Sequence, residues 1–316
     1  MAAAGITRLA PSPTGALHLG NARTFLVNFL LARRHGWQVL MRVEDLDGPR
    51  VKAGADGQML DELAWLGLRW EGPAVYQSAR GQAYRQALDR LIRLGAAYPC
   101  TCSRRDVELA ASAPHPEDSC PAYPGTCRGR YSSAEEAAAG GKSVAWRVRV
   151  DQTPILVDDE FAGRRAFNLA HQGGDFVISK SSGQAAYQLA VVVDDAGAGV
   201  DRIVRGDDLL DSAARQIHLR RLLGIAENVR YWHLPLVVGA DGRRLAKRHG
   251  DTRLCRYRDA GVSPQQMLGL LGYWTGLLPR RQEADPDKLL NAFDLKLIPK
   301  TPVVFTPDDE RYLLGQ

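Results

Sequence analysis

The sequence lacks any run of the roughly 18 to 20 apolar residues that a helix needs to cross a bilayer, so it does not predict a helical membrane protein. Its start, MAAAGITRLAPSP, also lacks the basic residues and the continuous apolar segment of a signal peptide. We therefore expect a cytoplasmic protein, in which cysteines stay reduced and serve as metal ligands more often than as disulfide partners.

Two common nucleotide-binding loops are absent as well. No G-x-G-x-x-G pattern occurs, and GGKS at 140–143 lacks the first glycine of a P-loop. If the protein binds a nucleotide, other structural features must hold its phosphates.

Lysine is scarce, since the 316 residues include 34 arginines and only 7 lysines. The formal net charge of +5 and the pI near 9.0 suit a polyanionic partner such as nucleic acid. One of the few lysines, Lys247, lies in the arginine-rich segment ADGRRLAKRHG at 240–250. A compact ammonium group suits a phosphate held in a tight site, whereas an arginine fork would serve a solvated surface equally well.

Hydrophobic periodicity predicts alternating strands and helices. In residues 1–45, the strand ITRLA, an amphipathic helix and the strand QVLMRVED form a βαβ unit, and the helix face consists of Ala22, Phe25, Leu26, Phe29 and Leu30. Further helices are predicted near 55–67, 79–95, 211–223, 263–277 and 286–292. Further strands are predicted at SVAWRVRV, DFVIS, LAVVVDD, DRIVRG and YWHLPLVVG. We therefore predict an α/β fold with a doubly wound, Rossmann-like parallel sheet.

Residues 98–142 interrupt this alternation, because they are rich in Cys, Pro, Ser and Gly and have little apolar periodicity. We predict four parts of the chain. They are the first half of a nucleotide-binding catalytic domain at 1–97, an insertion at 98–165, the second half of the catalytic domain at 166–238, and the lysine loop with a short helical region at 239–316.

Four cysteines of the insertion predict a structural zinc site, which would supply folding energy that the segment lacks. Coordination chemistry alone favours Cys100, Cys102, Cys120 and Cys127 as ligands, while Cys255 lies far away in sequence and is expected to be a buried thiol. The alternative is that these cysteines are reduced thiols that bind no metal.

The segment His18-Leu19-Gly20-Asn21 begins the first predicted helix. A helix N-terminus presents free N–H groups and a positive dipole end to a phosphate. Gly20 would let the phosphate approach closely, and His18 would add a donor.

Several segments together resemble the class I glutamyl-tRNA synthetases. RLAPSPTGALHLGNAR at 8–23 resembles the region of their HIGH motif, MRVEDLDGPR at 41–50 their R-[IV]-E-D-x-D segment, and RLAKR at 244–248 their KMSKS loop. AAYQLAVVVDD at 185–195 and DRIVRGDDLL at 201–210 resemble their amino-acid pocket and second-half strands. The resemblance covers about residues 5 to 275.

This resemblance implies a class I aminoacyl-tRNA synthetase fold and ATP-dependent activation of glutamate. It assigns catalysis to His18 and Lys247, with Lys247 neutralising the α-phosphate and the departing pyrophosphate. The implied ATP-binding residues are His18, Gly20, Asn21 and Lys247, and the implied glutamate pocket is Arg8, Ala10, Ser12, Glu44, Tyr187 and Arg205. Departures from the family pattern are Arg244, Ala246 and Val191.

The charges of this pocket also fit glutamate. Arg8 and Arg205 suit its carboxylates, Glu44 suits its ammonium group, and Tyr187 can donate to a carboxylate. We expect Arg205 to bind the side-chain carboxylate. Glutamine would leave an arginine without its charged partner, which is the kind of mismatch that gives strong rejection.

The C-x-C and Y-x₃-C patterns and Val191 resemble a short branch of the family, the glutamyl-Q tRNA(Asp) synthetases. That branch implies Cys100, Cys102, Tyr123 and Cys127 as ligands of one structural zinc, ATP with Mg²⁺ as substrate, and queuosine-bearing tRNA(Asp) as acceptor. The 69 residues after Lys247 leave no room for an anticodon-binding domain. We expect a monomer that forms the adenylate without tRNA.

The sequence also leaves two alternative functions open. One is a compact glutamate–tRNA ligase that acylates the 3′ end of tRNA. The other is a paralogue without enzymatic activity that binds glutamate or tRNA.

Overall fold

The computed structural model describes residues 5–13, 16–46, 51–103, 105–107, 122–245 and 250–315. Lys247 and Cys120 therefore lie outside the described residues, as does Ala246.

Strands and helices alternate over residues 6–93 as the sequence predicts, whereas four strands follow one another between residues 145 and 179. The strands are β1 (Ile6–Leu9), β2 (Gln38–Val43), β3 (Val75–Tyr76), β4 (Ala97–Cys100), β5 (Ala145–Val148), β6 (Ile155–Asp159), β7 (Gly163–Phe167), β8 (Phe176–Ser179), β9 (Arg202–Gly206), β10 (Arg230–Leu234), β11 (Val237–Val238) and β12 (Val303–Val304). The helices are α1 (Leu19–His35), α2 (Ala55–Trp65), α3 (Gly81–Arg93), α4 (Ala134–Ala138), α5 (Tyr187–Gly197), α6 (Leu210–Leu223), α7 (Leu254–Asp259), α8 (Pro264–Trp274), α9 (Pro286–Ala292) and α10 (Pro307–Leu314). Short 3₁₀ turns cover Gln77–Arg80, Asp207–Leu209 and Leu295–Leu297.

The parallel strands form two halves that meet between β1 and β9. In the first half the order is β1-β2-β3, and in the second β9-β10-β6 with β7 antiparallel at the edge. At the meeting point the Asp201 N–H donates to the Ile6 carbonyl (3.1 Å), and the Ile6 N–H donates to the Asp201 carboxylate (2.8 Å). The carboxyl ends of β1 and β9 therefore open at a topological switch point, where doubly wound sheets bind ligands.

Helix α1 carries the predicted apolar stripe into the core. Ala22, Leu26 and Leu30 are fully buried, and the helix ends at Gly36, whose φ of 66° is the left-handed conformation of a C-terminal cap. The predicted βαβ unit is therefore confirmed, since β1 and β2 pair in parallel on either side of this helix.

The prediction of a strand at LAVVVDD was wrong, because this segment lies within helix α5. The run of valines favours a strand by intrinsic propensity. However, Leu189, Ala190, Val191 and Val192 are all buried, and a segment buried on several faces has no periodicity that separates helix from strand.

Residues 98–142 include one end of a small antiparallel sheet of order β4-β5-β8. Strand β6 belongs to the catalytic sheet through its pairing with β10, although it lies within the predicted insertion 98–165. The four predicted boundaries of the chain stay predictions. No described helix is long and apolar enough to cross a membrane.

The buried amide of Asn28 gives a first prediction. This α1 residue accepts from the Thr7 hydroxyl (2.9 Å) and donates to the Arg8 carbonyl (3.0 Å), so it holds β1 against the helix. Asn28→Ala should lower the free energy of unfolding by about 1–3 kcal/mol, because it removes both buried hydrogen bonds.

Denaturant titration of wild type and variant checks this expectation. Asn291→Ala is the matched control, since Asn291 is exposed and should change the free energy of unfolding by less than about 0.5 kcal/mol. Equal effects of the two substitutions would contradict the assigned role of Asn28.

Candidate active site and cysteine cluster

A cavity of about 170 Å³ opens at the carboxyl ends of β1 and β9. It brings together eight residues that the sequence predicts for the site: Arg8, Ala10, His18, Gly20, Asn21, Glu44, Tyr187 and Arg205. A larger adjoining cavity of about 760 Å³ shares several of these residues and also contains Ser12. Of the predicted ATP and glutamate residues, Lys247 alone lies outside the described chain.

The His18 loop is held by the segment that follows the lysine loop. The Leu19 N–H donates to the Thr252 carbonyl (3.1 Å), and the Leu254 N–H donates to the Leu17 carbonyl (2.8 Å). The His18 Nδ1 atom lies 3.2 Å from the Thr252 hydroxyl. Segments far apart in sequence, the HLGN segment and residues 250–254, therefore form one wall of the site.

A buried network of charges lies at the bottom of the cavity. The Asp195 carboxylate contacts Arg42, accepts from Arg8 Nε (3.3 Å), and is almost fully buried. Arg42 also donates to Glu44 (2.9 Å). Burial alone would raise the pKa of Asp195, but the charges of Arg42 and Arg8 outweigh it and lower that pKa below the ordinary value.

Asp195 and Arg42 were not among the predicted site residues. Arg42 belongs to the MRVEDLDGPR segment, and Asp195 to the segment that was assigned to a strand. Because α5 is a helix, Tyr187 begins it at the cavity while Asp195 lies two turns further along.

The hydroxyl of Tyr187 is suited to donate to a ligand. Burial raises its pKa, and the nearby Glu44 carboxylate adds to this shift, so the phenol stays protonated at neutral pH. Ser12 instead donates its hydroxyl to the Glu44 carbonyl (3.1 Å), which fixes the turn after β1 against β2.

The Arg205 guanidinium is hydrogen-bonded to a histidine, and this histidine is hydrogen-bonded in turn to an aspartate. Its Nε donates to His233 Nε2 (2.9 Å), and His233 Nδ1 lies 2.6 Å from the Asp159 carboxylate. Sequence reasoning missed both partners, although His233 lies in the predicted strand YWHLPLVVG. A polar residue in an otherwise apolar strand was the available signal.

Three cysteines and a tyrosine converge in the insertion. The Sγ atoms of Cys100, Cys102 and Cys127 all lie within 4.8 Å of one another. The Tyr123 hydroxyl oxygen lies 3.5 Å from the Cys100 Sγ and 3.9 Å from the Cys102 Sγ. Zinc with Zn–S distances of about 2.3 Å has ligand separations of about 3.5–3.8 Å in a tetrahedron, so the cysteine cluster is compatible with such an ion.

The groups around the cluster favour a thiolate at Cys127, whereas burial raises the pKa of Cys102 to about 12 and also raises that of Tyr123. Burial would raise the pKa of Cys127, but hydrogen bonds from Thr101 and Tyr123 outweigh it and lower that pKa to about 7. The Arg147 guanidinium lies over the Tyr123 ring at 3.8 Å and donates to the Cys100 Sγ (3.4 Å).

Backbone contacts fix the position of the tyrosine. The Tyr123 N–H donates to the Gly173 carbonyl (2.9 Å), and Tyr123 forms a β-bridge with Gly174. The Cys127 N–H donates to the Tyr123 hydroxyl oxygen (2.8 Å), so tyrosine and cysteine form a closed turn.

Comparison with known proteins agrees with this geometry. The family model of the class I tRNA synthetases (E and Q), catalytic domain, matches residues 6–284. A protein of Symbiobacterium thermophilum named glutamyl-Q tRNA(Asp) synthetase is 47% identical over 94% of this chain and 94% of its own length. One of Nocardia farcinica with the same name is 46% identical over 96% of this chain and 93% of its own.

The chain belongs to the glutamyl-Q tRNA(Asp) synthetase family of the class I tRNA synthetases. Its fold is also similar to a glutamate–tRNA synthetase structure from Elizabethkingia anophelis, with a TM-score of 0.82 at 22% identity. That likeness covers 98% of this chain and 70% of the other. The predicted α/β synthetase fold is thereby confirmed.

The buried side chain of His233 predicts how the free energy of unfolding depends on pH. Burial lowers the pKa of His233 below its ordinary value of 6.5. The unfolded chain therefore binds more protons than the folded chain just below that value, and the free energy of unfolding should fall as the pH drops below 6.5.

Denaturant titrations from about pH 8 to about pH 5 measure this dependence. The variant His233→Asn keeps an N–H for Asp159 but does not titrate, so its unfolding free energy should depend less steeply on pH. Identical slopes for wild type and variant would contradict the prediction.

Proposed function

We propose that this protein activates L-glutamate with ATP to form glutamyl-adenylate and transfers the glutamate to queuosine in the anticodon loop of tRNA(Asp). The observation that carries the proposal is a cavity with an excess of arginine at the switch point of a sheet, in a chain 41–47% identical to glutamyl-Q tRNA(Asp) synthetases.

The charges of the pocket support glutamate as the amino acid. Among the charged side chains that line the cavity, the arginines Arg8, Arg205 and Arg244 outnumber the carboxylates Glu44 and Asp208 by one. Glutamate carries one net negative charge at neutral pH, whereas glutamine carries none. Among the described residues only one oxygen of Glu44 has a hydrogen-bond partner, so its carboxylate can also accept from the substrate ammonium group.

ATP would bind beside this pocket, at the beginning of α1. His18 and Asn21 line both cavities and Gly20 lines the smaller one, where the N-terminal N–H groups and the helix dipole favour phosphate. Lys247 would neutralise the α-phosphate and departing pyrophosphate, which needs a positioned charge rather than a protein nucleophile. Magnesium would accompany ATP.

A structural zinc ion would be held by Cys100, Cys102, Tyr123 and Cys127. The ion would cross-link an insertion that has a small apolar core, and Arg147 would offset the excess negative charge of the ligands. We also propose that the protein acts as a monomer in the cytoplasm.

The acceptor nucleotide is tested by transfer of radiolabelled glutamate to total tRNA from two bacterial strains, one with and one without queuosine. We expect label only in the pool that contains queuosine. Equal labelling of both pools would favour acylation of the 3′ end instead. Absence of glutamate-dependent ATP–pyrophosphate exchange would favour a protein that binds glutamate or tRNA without catalysis.

Elemental analysis of the purified protein tests the metal proposal, with one zinc ion expected per chain. Cys100→Ser and Tyr123→Phe should both weaken zinc binding in competition with a chelator, because each removes a proposed ligand. Cys120→Ala is the matched control and should retain zinc. Loss of zinc from Cys120→Ala but not from Tyr123→Phe would identify Cys120 as the fourth ligand.

A further inference from the structure

Arg205 ends a chain of three buried polar side chains that begins outside the cavity, at Asp159. We propose that His233 and Asp159 are positioning residues that fix Arg205 for the side-chain carboxylate of the substrate and thereby set the preference for glutamate over glutamine. This inference rests on the proposed activation of glutamate and deepens it.

The contacts assign the proton of His233. Arginine has no acceptor, so the His233 Nε2 that faces Arg205 Nε at 2.9 Å must be the unprotonated nitrogen. The proton therefore lies on Nδ1 and is donated to Asp159 at 2.6 Å. All three residues are at most 6% exposed, so water does not compete for these bonds.

Asp159 is the fixed end of this series of three side chains. Besides His233 Nδ1, its carboxylate accepts from the backbone N–H groups of Phe161 (2.9 Å) and Ala162 (2.6 Å) in the turn after β6. The His233 N–H also lies 3.2 Å from both carboxylate oxygens. The imidazole plane is thereby fixed, through Asp159, by main-chain N–H groups of the turn after β6 and of β10.

The guanidinium plane of Arg205 follows from that of the imidazole. Its Nε donates to His233, and its Nη2 donates to the Leu209 carbonyl (3.2 Å). Its Nη1 is buried and has no hydrogen-bond partner among the described residues, which leaves donor capacity on a guanidinium whose orientation is already set. Recognition of a planar carboxylate depends on such an orientation.

Arg8 and Arg205, two of the three arginines that line the cavity, differ in how their charge is balanced. Arg8 contacts the Asp195 carboxylate directly, so part of its charge is offset within the protein. Arg205 contacts a neutral imidazole, and the Asp159 carboxylate lies beyond that ring. Arg205 therefore keeps more of its charge for a ligand, and charge is what distinguishes glutamate from glutamine.

Two substitutions at one position separate the links of the chain. His233→Asn places an amide near Nδ1, where it can still donate to Asp159 but cannot reach Arg205. His233→Gln places an amide oxygen near Nε2, where it can accept from Arg205. Asp159→Asn can donate to His233 Nδ1, which would favour the tautomer whose Nε2 proton faces Arg205.

The test is ATP–pyrophosphate exchange with glutamate and, separately, glutamine, on the full chain. For His233→Asn and Asp159→Asn we expect the KM for glutamate to rise about 10- to 100-fold, as for loss of one charge-assisted hydrogen bond. The KM for ATP should stay within about twofold of wild type, and the ratio of kcat/KM for glutamate over glutamine should fall. His233→Gln should restore most of the affinity for glutamate.

His218→Asn is the matched control, because His218 Nε2 donates to the Arg149 carbonyl (2.7 Å) and His218 does not line the cavity. Thermal unfolding of every variant checks folding. An unchanged KM for glutamate and unchanged selectivity in both His233→Asn and Asp159→Asn would overturn the inference. A uniform loss, with the KM for ATP rising as much as that for glutamate, would also overturn it. Failure of the wild type to exchange with glutamate would instead overturn the proposed function.

Discussion

The buried carboxylate of Asp195 is the interaction on which the site depends. It projects from α5, in the second half of the chain, and contacts Arg8 of β1 and Arg42 of β2 in the first half. Burying one of these charged side chains without the others would cost several kcal/mol. The burial of each therefore depends on the other two. The halves of the catalytic domain are thereby joined by ion pairs as well as by packing, at the point where the cavity opens.

A second contact joins distant parts of the chain at the other wall of the cavity. The backbone around Thr252 pairs with the residues on either side of His18, and Glu62 of α2 accepts from the Leu17 N–H (3.2 Å). The position of His18 is therefore determined by segments that follow it by some 44 and 234 residues. The HLGN segment alone carries no such information.

The sequence predicts the structure well where local residue patterns agree with the fold. Segments such as RLAPSPTGALHLGNAR and DRIVRG identify the family, and eight of the expected site residues line one cavity. The assignment of LAVVVDD to a strand failed because burial on several faces removes periodicity. Asp195, His233 and Asp159 escaped notice because their roles depend on long-range pairing, which no local pattern reveals.

The cysteine cluster illustrates how coordination can depend on a residue that has no ligand atom. Gly174 has a φ of +67°, and a Cβ added there would lie 2.5 Å from the Tyr123 carbonyl oxygen. Any residue with a side chain at position 174 would push the backbone of Tyr123 away from the cysteines. Position 174 nevertheless lies 47 residues beyond Cys127. The proposed zinc site therefore depends on this glycine as well as on the proposed ligands themselves.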